Sequence, residues 1–209
     1  MDSAPLLDKK YTITHEWYKW LTGSYEVLKK HKQAQKLIFK PESERLIVEI
    51  GIYEGASTVW WADNFLVHEN SKLIGIDPFT GSEENIREPE NHPTLHRIEK
   101  IAKKNVSLSK YPEKVDLRKG LSWDLYPVLR PEFENGIDIL YIDGAHDSLS
   151  VCRDIALYYP HLKPGGALIF DDYGSEKVKT AADACMSLFG NIENAFYTGW
   201  QLWCINGNV

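Results

Sequence analysis

Leu46-Ile-Val-Glu-Ile-Gly-Ile-Tyr-Glu-Gly-Ala-Ser-Thr-Val-Trp60 is an apolar run that stops at a carboxylate and two glycines and then changes period. Leu46, Ile47, Val48 and Ile50 suit a strand covered on both faces, whereas Ala56, Val59, Trp60 and Phe65 recur at helical spacing. Strand, tight turn and helix are expected in that order. Gly51 and Gly55 free the backbone at the join, and a helix starting near Ser57 aims unpaired N–H groups at the space above the strand end. A nucleotide-like ligand is expected there. Glu49-x-Gly51-x-Tyr53-x-Gly55 lacks the middle glycine of the dinucleotide fingerprint, so on its own the turn suits any α/β protein equally well.

Downstream, the alternation repeats. Lys72-Leu-Ile-Gly-Ile-Asp77 is a second apolar run ended by an acid, about twenty residues past the glycines, the spacing at which an acid reaches ribose hydroxyls. A turn aspartate before Pro78 is the plainer alternative. The acidic, proline-punctuated stretch from Gly81 to Pro93 reads as a lid or a solvated loop, and a helix is expected from about Thr94 to Ser109. Val115 to Arg118, Ile137 to Ile142 and Ala167 to Phe170 are three further strands, with Lys163-Pro-Gly-Gly166 as a turn before the last. Ser122 either caps a helix or meets a ligand base, and Asp147 or Ser148 caps the helix that follows the fourth strand. A helix from Glu176 to Leu188 leads to two extended tail segments split near Gly199, one of them antiparallel.

Upstream, residues 14 to 40 favour one or two amphipathic helices, interrupted near Gly23 and ended by Pro41. The aromatic residues Tyr11, His15, Trp17, Tyr18 and Trp20 are expected to pack against the sheet rather than to wall a ligand. The pattern predicts one α/β domain: a helical N-terminal extension over 1–45 and a core over 46–209 built on a doubly wound, mostly parallel seven-stranded sheet with helices on both faces.

The chain has 209 residues, 43% hydrophobic and 26% charged, which is enough for one sizeable core. A net charge of −6 argues against nucleic acid or an anionic membrane as partner, since both want a basic footprint. Cys152, Cys185 and Cys204 are odd in number and unevenly spaced, so neither a disulfide framework nor a zinc cluster is expected. The start, Met1 to Lys10, carries no apolar leader-length run, and no segment is long enough to span a bilayer. These features read as a soluble cytoplasmic protein.

Every acid singled out ends a strand. Asp143 closes the fourth, and Asp171 with Asp172 closes the fifth; if these strands are neighbours, their ends lie about 5 Å apart. Three converging carboxylates need protons or a cation, and an all-oxygen set suits magnesium or manganese. The alternative is that each aspartate caps the helix behind it. His146, three residues past Asp143, is within reach of a substrate at such a metal and is a candidate general base.

Together these segments resemble the class I S-adenosylmethionine-dependent methyltransferases, and within them the metal-dependent O-methyltransferases. Glu49-Ile-Gly-Ile-Tyr-Glu-Gly-Ala-Ser57 is similar to the first motif of catechol O-methyltransferases, where tyrosine replaces the middle glycine, so Tyr53 marks a subgroup. By that resemblance Glu49, Gly51 and Ser57 serve the methionine end of the cofactor, Asp77 the ribose, and Ser122 with Trp123 the adenine, with Tyr53 and Gly55 of the same turn also cofactor-binding. Asp143 then touches both cofactor and metal, with Asp171 and Asp172 as further metal ligands. Ile142-Asp-Gly-Ala-His146, Lys163-Pro-Gly-Gly and Asp171-Asp-Tyr resemble the macrocin-type sugar O-methyltransferases and the cephalosporin hydroxylase-like proteins more closely. In the sugar enzymes a histidine at the position of His146 is the base; Asp171 stands where that group has glutamate.

The resemblance implies transfer of a methyl group from S-adenosylmethionine to a hydroxyl of a small molecule such as a sugar, polyol or catechol. Magnesium or manganese would assist. A non-catalytic adenosylmethionine-binding protein and a nicotinamide-dependent oxidoreductase are the alternatives, and the aromatic extension and tail are candidates for a dimer contact.

Overall fold

In a computed structural model of the chain, residues 7–189 and 192–207 are described. The reading of the N-terminus as leaderless falls partly on residues 1–6, outside that set. Seven strands form one sheet: β1 (Leu46–Ile50), β2 (Lys72–Asp77), β3 (Val115–Lys119), β4 (Ile137–Ile142), β5 (Leu162–Phe170), β6 (Ile192–Tyr197) and β7 (Leu202–Asn206). Their order is β3-β2-β1-β4-β5-β7-β6. β1 to β5 pair in parallel, while β7 runs antiparallel to both β5 and β6. The order reverses between β1 and β4, so the glycine turn and the loop carrying Asp143 stand side by side at the switch point, where an open α/β sheet opens its crevice.

The two-residue period of the strands divides the core. Val48, Ile50, Leu140, Ile142 and Phe170 face helices α5 (Ser122–Leu129), α6 (Ser148–Tyr158) and α7 (Glu176–Phe189). Ile47, Ile139, Tyr141, Ile169 and Trp203 face α1 (Tyr18–Lys30) and α2 (Ala56–Phe65). Both faces are buried, which is why these strands read as apolar runs rather than as an alternation. A short helix α3 (Glu83–Arg87) occupies the acidic stretch after β2, and α4 (Ile98–Ser107) follows it. No helix among the described residues is long and apolar enough to cross a membrane, and Cys152, Cys185 and Cys204 are free thiols.

Three local expectations are corrected. Gly23 does not interrupt the N-terminal helix: it lies inside α1, and the break comes at His31, whose extended backbone (φ −107°, ψ 120°) ends the helix. Lys163-Pro-Gly-Gly166 is not a separate turn but part of β5, where the pairing register with β4 shifts between Ile137 and Ile139. The aromatic residues of the extension divide between two roles. Tyr11 and Tyr18 are buried, but Trp17 and Trp20 remain 45% and 53% exposed and, with His15 and one side of Tyr18, line a cavity.

The extension is fastened by polar bonds as well as by packing. Buried Glu54, in the glycine turn, accepts from Thr14 N at 2.7 Å, from the Thr14 hydroxyl at 2.7 Å and from Thr94 Oγ1 at 2.7 Å. Asn105 of α4 accepts from Thr12 N at 2.8 Å and donates to Thr12 O at 2.9 Å. Breaking such a set would leave a buried carboxylate unsatisfied, which costs several kcal/mol for a charged group. The extension is therefore locked over the strand ends.

Candidate active site

A cavity of about 850 Å³ lies above the C-terminal ends of β1, β2, β4 and β5. Its floor is the glycine turn. Gly51 has φ +93° and Gly55 φ +80°, conformations that a Cβ disfavours. At Gly51 an added Cβ would lie 1.9 Å from the Asp143 carbonyl oxygen, so this glycine is required by the approach of two loops. Tyr53 (φ +52°), Phe79 (φ +57°) and Asp172 (φ +49°) also hold left-handed backbone, and strain of this kind concentrates at functional sites.

The predicted cofactor residues gather around this turn. Glu49, fully buried, accepts from the Ser57 hydroxyl; burial pushes its carboxyl up to about 7, with the Ser57 and Thr58 hydroxyls opposing. Asp77 is buried and accepts from Ile52 N at 2.7 Å, Tyr53 N at 2.9 Å and Phe79 N at 2.5 Å. It thus locks the end of β2 to the glycine turn, and the turn role and the place on the cavity wall coexist. Ser122 donates to buried Asp154, whose carboxyl burial pushes up to about 6. Trp123 is flanked by the Arg153 guanidinium, 4.5 Å from its ring centroid. Ser122, Trp123 and Asp154 share one wall of the cavity.

The acids at the ends of β4 and β5 do not form the expected all-oxygen trio. Ligand atoms of Asp143, His146 and Asp172 lie within 4.8 Å of one another, and His146 Nε2 is 2.7 Å from Asp172 Oδ2. Asp171 stands behind them, buried, accepting from Gln201 Nε2 at 2.7 Å. The left-handed backbone at Asp172 accompanies a carboxylate set against His146, while Asp171, held by Gln201, stays beside Asp143. Burial pushes the Asp171 carboxyl up to about 6. Asp143 is driven well above the usual carboxylate range by burial and by the charges of Asp171 and Asp172. Asp143, Asp172 and His146 thus form one oxygen and nitrogen set, while Asp171 lines the same cavity and is hydrogen-bonded to Asp143.

Sequence reasoning missed the residues that brace this set. Gln201 also donates to Tyr141 Oη at 3.3 Å and accepts from Trp203 Nε1 at 3.1 Å, and Tyr141 in turn donates to Asp143 Oδ2 at 3.2 Å. Tyr141 read only as a strand residue, and Gln201 sits at the start of an antiparallel tail strand with no motif around it. Only the β5–β7 pairing brings it beside Asp171.

Residues 48–173 match a protein family described as a methyltransferase domain. The chain belongs to that methyltransferase family. The match begins in β1 and ends just past Asp172, so it contains the glycine turn, Asp77, the Asp143 loop and the end of β5. The sequence of this methyltransferase-family chain is 36% identical over 130 residues, 60% of its length, to the uncharacterized protein R132 of Acanthamoeba polyphaga mimivirus. The aligned stretch spans 50% of that relative.

Its fold is shared with solved methyltransferases. The TDP-rhamnose 3'-O-methyltransferase CalS11 of calicheamicin biosynthesis is 14% identical with a TM-score of 0.59, over 92% of this chain and 82% of that one. TomG from Streptomyces achromogenes, an O-methyltransferase of tomaymycin synthesis solved with SAM, is 14% identical with a TM-score of 0.60, over 89% and 81%. MycE of the mycinamycin pathway, solved with Mg, SAH and mycinamycin VI, is 17% identical with a TM-score of 0.53, over 96% of this chain and 51% of that one. At these identities the likeness is one of fold, and the doubly wound, mostly parallel sheet expected from the strand and helix pattern is the one found.

Proposed function

We propose that the protein is an S-adenosylmethionine-dependent O-methyltransferase acting on a small hydroxylated molecule with the help of a divalent cation. The observation that carries this reading is the convergence of Asp143, His146 and Asp172 in the same cavity as the glycine turn. Such a set beside a cofactor turn offers both oxygen donors for a divalent cation and an imidazole to take a proton.

The residues present fit both groups. A cavity of about 850 Å³ matches the size of sites that enclose cofactor and substrate together. Gly51, Tyr53, Ser57 and Asp77 line the cavity at the glycine turn, and Ser122 with Trp123, on the same cavity, would take the cofactor's flat base. Asp143 and Asp172 offer carboxylate oxygens of the kind that hard divalent cations take, with substrate and water completing the shell. S-Adenosylmethionine, when bound, supplies an electrophilic methyl group.

The chain's own residues divide the remaining work. The loops after β1 and β4 meet at the switch point, so they hold donor and acceptor next to each other, and correct placement is a large part of the acceleration of any two-substrate displacement. Asp172 accepts from or pairs with His146 Nε2 and fixes the imidazole, and His146 takes the hydroxyl proton as general base. Asp171, Gln201 and Tyr141 hold Asp143 from behind. The extension contributes His15, Trp17 and Trp20, and α3 Asn85 and Ile86, to the cavity wall. The test is product formation: protein, adenosylmethionine and a panel of polyols, sugars and catechols, with S-adenosylhomocysteine read by mass spectrometry with and without EDTA. Absence of transfer to every acceptor from a protein that binds adenosylmethionine would favour a binding role.

A further inference from the structure

Two features of the cavity concern the acceptor. Trp20 of α1 and Trp200, in the turn before β7, stack at its mouth with ring centroids 5.5 Å apart and planes 27° from parallel. Trp20 is 53% exposed, so its indole does not serve the core. Trp200 rests on Gly174, where a Cβ would meet the indole at 3.2 Å, two residues beyond Asp172. The indole platform therefore adjoins the carboxylates of the proposed metal site. The second feature is charge. Among the described residues no lysine or arginine lines the cavity, whereas Asp77, Glu88, Asp143, Asp154, Asp171 and Asp172 all do.

Building on the methyltransferase reading, we propose that the acceptor is a ring compound that packs against the stacked Trp20–Trp200 pair, and that it is neutral or cationic, not anionic. An indole face attracts apolar ring faces and ammonium groups and has a negative quadrupole that repels anions. A phosphate or carboxylate on the acceptor would lose its hydration with no guanidinium or ammonium of the chain to replace it, a penalty that grows with burial. The cation of the proposed metal site would not reverse this, because the carboxylates of Asp143 and Asp172 already balance its two charges. This excludes nucleotide-activated sugars and aromatic carboxylic acids, and admits free pyranosides, amino sugars and uncharged or amine-bearing catechols. Trp20 and Trp200 are specificity-determining residues in this arrangement.

The test separates ring and charge. Two matched series are titrated by saturation-transfer NMR: methyl pyranosides carrying an amine, a hydroxyl or a carboxylate at one position, and catechols carrying an aminoethyl, a methyl or a carboxylate group. In the series that binds, the amine and neutral members bind at least about tenfold more tightly than the carboxylate. Trp20→Ala and Trp200→Ala each weaken the neutral member about 5–10-fold and melt with the parent protein, because neither ring is part of the core. Equal binding of the carboxylate member, unchanged affinity in the Trp20→Ala/Trp200→Ala double variant, or no binding in either series overturns the proposal. Titrations run with and without S-adenosylhomocysteine, and calorimetry with adenosylmethionine is done first. Failure of the cofactor to bind then removes the enzyme reading, while the cofactor-free titrations still decide the platform.

Discussion

His146 Nε2 lies 2.7 Å from Asp172 Oδ2, and Asp172 makes this contact from a left-handed backbone at φ +49°. A carboxylate that fixes an imidazole selects its tautomer and orientation, which is what a general base needs. His146→Ala should lower turnover roughly 10²–10⁴-fold while adenosylmethionine affinity stays near that of the parent. The acidic limb of the pH–rate profile should vanish with it. Near-full activity in His146→Gln with that limb intact would assign proton removal elsewhere.

Removal of divalent cations should abolish transfer, and magnesium or manganese should restore it. Asp143→Asn and Asp172→Asn should each raise the cation concentration needed for half-maximal rate at least about tenfold, since each removes a charged oxygen donor. Gln201→Ala should do so more weakly, because it acts through Asp171. Metal-titrated activity of the three variants checks the order, and full activity in EDTA contradicts it.

Asp77 accepts three backbone N–H bonds in the glycine turn. Asp77→Ala strands those donors and removes a cavity carboxylate. Cofactor affinity should fall by about 1–3 kcal/mol, and the melting temperature of the unliganded protein should fall too. Calorimetry and thermal melts on one preparation measure both, and a fall in stability with unchanged affinity would confine Asp77 to the turn.

Gly51 combines φ +93° with a position where a Cβ would overlap the Asp143 carbonyl at 1.9 Å. Gly51→Ala should destabilise by more than the roughly 1–3 kcal/mol of the backbone conformation alone, because the two loops must also separate. Gly23→Ala is the control: it sits in α1 with nothing within 4 Å of an added Cβ. That substitution should stabilise by about 0.4–1 kcal/mol. Denaturant unfolding of both variants reads the contrast.

Glu49 gives the pH dependence its sign. Its folded carboxyl titrates near 7 against an ordinary 4.5, so between those values the folded state holds a proton that the unfolded state has released. Its contribution to stability is complete below pH 4.5 and is lost as pH rises toward 7, on the order of 3 kcal/mol for this fully buried group. Glu49→Gln should gain stability relative to the parent as pH rises from 5 to about 7.5. Melts across that range check it, and a pH-independent difference would place Glu49 ionised in the fold.

The apolar runs of β1, β2, β4 and β5 and the glycines after β1 determined the fold class by themselves, because a strand buried on both faces leaves no alternation and a left-handed turn admits few residues but glycine. The placement of Asp77, Asp143 and Asp171 at strand ends was legible for the same local reason: each closes such a run, and the ends of parallel strands share one edge of the sheet. Sequence could not decide which neighbours those ends would have. Whether His146 joins Asp143 and Asp172 depends on the left-handed turn at Asp172 and on Gln201, which holds Asp171 and arrives with an antiparallel strand about thirty residues later. The aromatic extension was ambiguous because Tyr11, Tyr18, Trp17 and Trp20 are alike in composition. Their division into core and cavity wall follows from the direction in which the extension, held by Glu54 and Asn105, crosses the strand ends, a long-range contact that no local pattern encodes.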